Sequence, residues 1–211
     1  MRRKLTISDL VRMNVPQEYW SASVSKVLDN TSFGKKVPVS AVDFCIGFLR
    51  EIDSRVLDGL GIIMSGSNGT GKTSIAVLIL KEARRRGHSG LFVMLSDLVT
   101  RSWSDRFDGD VTWTQRAKEV DVLVVDEFGH EHDQKSKYNA SLIHQIIKFR
   151  CASRKLTIMT TNMVAGDIRA RYPVSMIEAM KDKIVFMPVS GPNWRNTSKN
   201  AAERTILSGL T

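Results

Sequence analysis

A single α/β domain built on a central parallel sheet is the fold class this sequence predicts, and three observations predict it. Short apolar runs at residues 61–64, 91–95, 122–125, 156–160 and 184–188 alternate with stretches of helical period. Runs without polar alternation belong to strands covered on both faces by helices. A glycine-rich loop follows the first run and opens a helix. Two adjacent carboxylates follow the third run, at the sheet end where open α/β folds bind ligands.

Residues 1–40 read as a leader, where Pro16, Asn30, Gly34 and Lys35-Lys36 indicate short helices and loops. A helix is expected over 39–57, because Val42, Cys45, Phe48, Leu49 and Ile52 fall on one broad face. Strand 61–64 leads through the glycine-rich loop into helix 72–86, which Gly87 stops. After strand 91–95, Ser96 or Asp97 can cap a helix running toward Phe107. Asp108-Gly109-Asp110 makes a turn, and a short helix covers 112–119. Strand 122–125, a long helix over 136–153, strand 156–160, helical pieces at 167–172 and 175–180, and strand 184–188 complete the core. The expected organisation is an extension at 1–40, a core at 41–195 and a polar tail at 196–211 that ends in a weak helix.

The 211 residues are 42% hydrophobic and 25% charged, which suffices to bury a real core. The net charge of +9 and a pI near 9.8 point to a polyanionic partner, nucleic acid before an acidic membrane. Cys45 and Cys151 lie far apart without CxxC spacing, so they read as free thiols in a reducing compartment rather than as a disulfide frame. No apolar run is long enough to span a bilayer, and no apolar signal core follows the basic Met1-Arg2-Arg3-Lys4. A cytoplasmic location without a membrane partner is therefore expected. His130, His132 and Asp133 lack a second ligand cluster and read as a solvated loop, not a metal site.

Gly66-Ser67-Asn68-Gly69-Thr70-Gly71-Lys72-Thr73 fits the phosphate-binding loop at every fixed position, between a strand and a helix as that motif requires. Its glycines let backbone amides wrap a phosphate, and the helix N-terminus, continuing through Ser74, adds positive potential. Lys72 is expected on the β- and γ-phosphates of ATP and Thr73 on magnesium. Asp126, closing the third strand, is expected to hold the same ion, and Glu127 to act as general base on the attacking water. Asn162 follows Thr160-Thr161 at the next strand end and is expected on the attacking water or the γ-phosphate. The strand at 91–95 falls between the two motifs in the chain, which indicates a hydrolase rather than a kinase.

With these motifs in order, the chain resembles the AAA+ ATPases. More narrowly, it is similar to the DnaC/IstB group of bacterial helicase loaders and transposition helper ATPases, over about residues 15–195. Asp126-Glu127-Phe128-Gly129, Ser136-Lys137-Tyr138 and Thr160-Thr161-Asn162 carry this resemblance. Gly191-Pro192-Asn193-Trp194-Arg195 resembles the group's closing segment, which implies that Arg195 is the sensor arginine. The resemblance also implies ATP and magnesium as cofactors and no large C-terminal lid. It implies ATP-dependent homo-oligomers, as a ring, spiral or filament, and a replicative helicase or transposase as partner. Two departures stand out. Only about forty residues precede the core, so a helicase-binding module is expected to be reduced or absent. The segment 176–180 puts Ala179 where the group carries its arginine finger, leaving Arg169, Arg171, Lys181 or Lys183 as substitutes.

In relatives, a helix after the second strand lines a channel for single-stranded DNA. Here that region holds Arg101, Trp103, Arg106, Trp113, Arg116 and Lys118, cations for a phosphate backbone and aromatics for stacking. Packing is the competing role for both tryptophans. Three readings follow: a helicase loader on single-stranded DNA, a transposition regulator on duplex DNA, and an assembly module that holds ATP without hydrolysing it.

Overall fold

Residues 3–23, 39–104, 112–129 and 137–190 are described by the computed structural model, with the backbone alone for 39–42, 103–104 and 137–138. Five strands form one parallel sheet: β1 (Gly61–Ser65), β2 (Gly90–Met94), β3 (Val122–Asp126), β4 (Leu156–Thr161) and β5 (Ile184–Pro188). Their order is β2-β3-β4-β1-β5. β1, β3 and β4 are buried along their whole length, as their unbroken apolar character requires of central strands. The strand between the two phosphate-site motifs in space is β4. β2, which separates them in the chain, crosses over to the edge.

Strand side chains alternate between two apolar layers. Ile62, Met64, Val122, Val124 and Ile158 pack on one side with α2 (Val39–Arg50), α3 (Ile52–Asp58) and α4 (Lys72–Arg85). Ile63, Leu123, Val125 and Met159 face the other side. There they meet α5 (Leu95–Ser104), α6 (Trp113–Glu119), α7 (Lys137–Ala152), α8 (Ala165–Arg171) and α9 (Val174–Lys181). Among the described residues, no helix is long and apolar enough to cross a membrane.

Two expectations need correction. The helix at 39–57 is two helices, because Glu51 leaves the helical region (φ −102°, ψ 18°) between α2 and α3. Leu95 opens α5 instead of ending β2, and it stays fully buried in that role. Apolar content alone does not distinguish the last residue of a buried strand from the first of a buried helix.

The described part of the leader, residues 3–23, holds the expected short helix and packs against the core. Its helix, α1 (Ile7–Arg12), is opened by a capping box: Asp9 N donates to Thr6 Oγ1, and Thr6 N donates to the Asp9 carboxylate. The chain then runs along the open edge of β2. Phe92 N donates to Met13 O at 2.8 Å, and Asn14 Nδ2 donates to Phe92 O at 3.0 Å. A bare strand edge is a site for unwanted pairing, and this contact covers it. Lys81 of α4 fixes the far end by donating to Trp20 O at 2.8 Å and Ala22 O at 2.6 Å.

At the amino-terminal rim of the sheet, Arg150 of α7 is completely buried. Its guanidinium donates to Ala117 O (2.9 Å), Val120 O (2.8 Å), Leu156 O (2.6 Å) and Thr157 Oγ1 (2.9 Å), with longer bonds to Lys118 O and Asp121 O. Burial pulls its ionisation down to about 9, so the cation persists at neutral pH. Beside it, Asp121 accepts from Ser89 N, Ser89 Oγ and Lys155 Nζ, at 2.7–2.9 Å. Burial opposes the Asp121 charge, but these donors prevail and hold its carboxyl at about 2.

Arg150→Ala should strand several buried carbonyls, each costing roughly 1–3 kcal/mol. A stability loss of at least about 3 kcal/mol in urea unfolding is expected, and a loss under about 1 kcal/mol would contradict this role. Asp121 contributes stability that is complete above the ordinary unfolded carboxyl value of about 4 and is lost as pH falls toward about 2. Thermal melts between those pH values should therefore fall less steeply for Asp121→Asn than for the unchanged protein.

Candidate nucleotide site

The site forms at the carboxyl rim. After β1 the chain must pass close to the segment following β5, where Val189 N donates to Ser65 O at 2.6 Å. A Cβ on Gly66 would lie 2.0 Å from Val189 O, so only glycine fits there. Gly69 and Gly71 take positive φ values of 78° and 92°, turning the loop back into α4. Thr70 Oγ1 staples the loop by donating to Ser67 O at 3.0 Å. Ser74 is buried in the first turn of α4.

Lys72 lies under this loop, 7% exposed, and its ammonium donates to Gly66 O (2.7 Å), Ser67 O (2.8 Å) and Asn162 Oδ1 (3.1 Å). Asn162 Nδ2 also donates to Asn68 Oδ1 at 2.7 Å, across the mouth of the loop. Thr73 Oγ1 donates to the Asp126 carboxylate, 3.0 Å from the nearer oxygen, so both oxygen ligands expected for magnesium meet. Thr160, next to the last residue of β4, donates its hydroxyl to Asp126 and accepts from Glu127 N at 3.2 Å. Burial pushes the Asp126 carboxyl above its usual range, and the Glu127 charge adds to that. The Thr160 and Thr73 hydrogen bonds and the Lys72 charge oppose it. A cation at Asp126 would relieve that burial cost.

Glu127 is exposed and holds φ 56°, a left-handed value uncommon for a residue with a Cβ. β4 holds it there: Phe128 N donates to Thr160 O (2.8 Å) and Thr161 Oγ1 to Phe128 O (2.6 Å). Phe128 stacks on Tyr172 at 4.6 Å, and Gly129 turns beneath Met163, where a Cβ would lie 2.1 Å from the sulfur. The result is one buried carboxylate facing Thr73 and its neighbour turned outward. Among the described residues, no three His, Cys, Asp or Glu side chains group to hold a metal. A magnesium ion needs only one or two protein oxygens beside the phosphates, and Thr73 with Asp126 supplies such a pair.

Two contributors have roles that local pattern does not show. Thr160 belongs to the Thr160-Thr161-Asn162 motif, but its bonds to Asp126 and Glu127 arise only because β4 lies against β3. Tyr19, in the 3-10 turn Gln17–Tyr19, lies near Thr73 and Asp126. Burial, Glu18 and the Asp126 charge raise its ionisation. Only the docking of the leader along β2 puts it there.

The remaining candidates lie elsewhere or outside the described residues. Arg101 and Arg116 flank Trp113, with their guanidinium carbons 4.2 and 5.4 Å from the ring centroid, and Arg116 also donates to Arg12 O. Trp113 is half-buried against the second core layer, which favours its packing role. Lys118 sits on α6, its carbonyl accepting from Arg150. Trp103 sits on α5 without a described side chain. Arg106, Ser136, His130, His132 and Arg195 lie outside the described residues. Ala179 lies on α9, while Arg169 and Lys181 are exposed nearby in sequence.

Residues 49–201 match the family described as IstB-like ATP binding protein. The chain is 33% identical over 119 residues to the replicative helicase loader DnaC of Escherichia coli, covering 54% of this chain and 46% of that one. It thus spans about half the length of this relative. It is 27% identical over 194 residues to an insertion-sequence ATP-binding protein of Mycobacterium tuberculosis, covering 83% and 74% of the two chains. A crystal structure of a DnaC helicase loader superposes with a TM-score of 0.70 at 24% identity, covering 83% of this chain and all of that one. The replication initiator DnaA bound to AMPPCP and single-stranded DNA does so at 0.61 and 17% identity, over 81% and 51%. The fold is thus shared with the DnaC loader and with DnaA, and with the matched segment spanning most of its length, the chain belongs to the IstB-like ATP-binding family.

Proposed function

We propose that the protein hydrolyses ATP and couples nucleotide binding to assembly on DNA, as a DnaC-like loader delivering a replicative helicase to single-stranded DNA. The observation that carries the first half is the meeting of Lys72, Thr73, Asp126, Glu127 and Asn162 on one rim of the sheet. The second half is supported by the 33% identity to the E. coli loader and by the net charge of +9.

In this reading the loop amides and Lys72 bind the β- and γ-phosphates, the lysine exchanging the carbonyls of Gly66 and Ser67 for phosphate oxygens. Thr73 and Asp126 would hold magnesium, which would supply positive charge beside the phosphates. Glu127 stands in solvent and accepts a proton from the attacking water. Asn162 orders that water or the γ-phosphate, and Arg195 is assigned the sensor role by resemblance alone. Ala179 offers no cation to a neighbouring subunit, so hydrolysis is expected to be slow unless Arg169, Arg171, Lys181 or Lys183 reaches across. Without such a residue, the assembly module holding unhydrolysed ATP becomes the better description.

A second reading is favoured by the alignment to the insertion-sequence protein, which spans 83% of this chain and 74% of that one. There the partner is a transposase and the DNA is duplex. Both readings have ATP promoting homo-oligomers, closed or open according to whether head-to-tail contacts complete a ring.

Three outcomes are expected. Lys72→Ala should weaken ATP binding by at least about tenfold, the loss of one charge-assisted contact, and unchanged affinity would refute the loop assignment. Glu127→Gln should bind ATP normally while turnover drops roughly 10²–10⁴-fold; a normal rate would remove Glu127 as the base. For DNA, replacing Arg101 and Arg106 by alanine should lower affinity for all sequences alike. It should also flatten the salt dependence by about one unit for each phosphate that the protein no longer neutralises. Salt titrations on single- and double-stranded oligonucleotides test this: unchanged slopes would move the surface elsewhere, and a preference for duplex would favour the transposition reading.

A further inference from the structure

The hydrogen bonds among Lys72, Asn162 and Asn68 run in one direction, and that direction assigns a role to Asn68. An ammonium has no lone pair and can only donate. Asn162 must therefore turn its carbonyl oxygen toward Lys72, at 3.1 Å. Its NH2 group then faces Asn68, which must in turn present its own oxygen, at 2.7 Å. The orientation of both amides, ordinarily ambiguous between oxygen and nitrogen, is thereby settled by the lysine. The relay ends on the NH2 group of Asn68, a donor on an exposed residue of the loop mouth.

We propose that Asn68 is a terminal-phosphate discriminator: its amide nitrogen donates to a γ-phosphate oxygen of the nucleotide held by Lys72. Its oxygen, meanwhile, keeps Asn162 aligned on the same group. Lys72 reaches the β- and γ-phosphates in this motif, and Asn162 and Asn68 are linked to it by consecutive hydrogen bonds. A phosphate that takes the lysine therefore comes within reach of both amides. ADP lacks that phosphate and has nothing for Asn68 to contact. The inference rests on the proposed ATP reading and deepens it.

Two variants separate the donor from the loop's shape. Asn68→Ala removes the amide. Asn68→Asp keeps an oxygen for Asn162 but replaces the donor with a negative charge. Calorimetric titrations with magnesium and a non-hydrolysable ATP analogue, and separately with ADP, read the difference. Asn68→Ala should lower analogue affinity about tenfold, one charge-assisted hydrogen bond, and ADP affinity by less than about twofold. Asn68→Asp should lower analogue affinity further and still spare ADP. Equal losses for both nucleotides, or an Asn68→Asp protein that binds the analogue normally, would overturn the proposal while leaving the ATP reading intact. An unchanged protein that binds neither nucleotide would overturn both.

Discussion

The guanidinium of Arg150 holds the amino-terminal rim of the sheet, and the arrangement at the opposite rim depends on that hold. Parallel strands do not pin one another by tight turns, so something else must set how β3 and β4 start relative to their neighbours. Arg150 does so by gathering carbonyls from the end of α6, the approach to β3 and the first residue of β4. Asp121, tied to Ser89 and Lys155, links the approaches to β2, β3 and β4 in the same layer. A buried charge without a carboxylate partner is costly, and these bonds are what make it tolerable.

With the starts aligned, the strand ends deliver chemistry in register. β4 lies between β1 and β3, so Thr160 reaches Asp126 on one side, and Asn162, just beyond the strand, reaches Lys72 on the other. The site thus carries a buried cation and a buried anion whose costs are met by different means. Lys72 is satisfied by loop carbonyls and an amide oxygen. Asp126 has two hydroxyl donors and remains raised by burial. Both are poised to exchange protein contacts for a charged ligand, the phosphates in one case and a cation in the other.

The leader joins the two ends of this scheme. It covers the edge of β2, is clamped to α4 by Lys81, and brings Tyr19 beside Thr73. Near it, Arg101 and Arg116 both lie over the Trp113 ring, and Arg116 donates to Arg12 O of the leader. A guanidinium stacked on an aromatic face keeps its charge and is held in place, so this contact orders the cations without neutralising them.

Local pattern in the chain is enough to establish the fold class, the five strands to within a residue or two, and the nature of the phosphate loop. Unbroken apolar runs and fixed glycine spacing are local properties that need no partner to be read. The same pattern marks Asp126 and Glu127 as a pair but not their division of labour. That division comes from the left-handed turn at Glu127, which β4 imposes through Thr160 and Thr161. The break at Glu51, the start of α5 at Leu95, the burial of Arg150 and the approach of Tyr19 to Thr73 emerge only once the chain is folded. The same holds for the relay from Lys72 through Asn162 to Asn68. Each depends on residues dozens of positions apart, or on packing that overrides a local preference. No periodicity in the chain encodes which strand lies beside which.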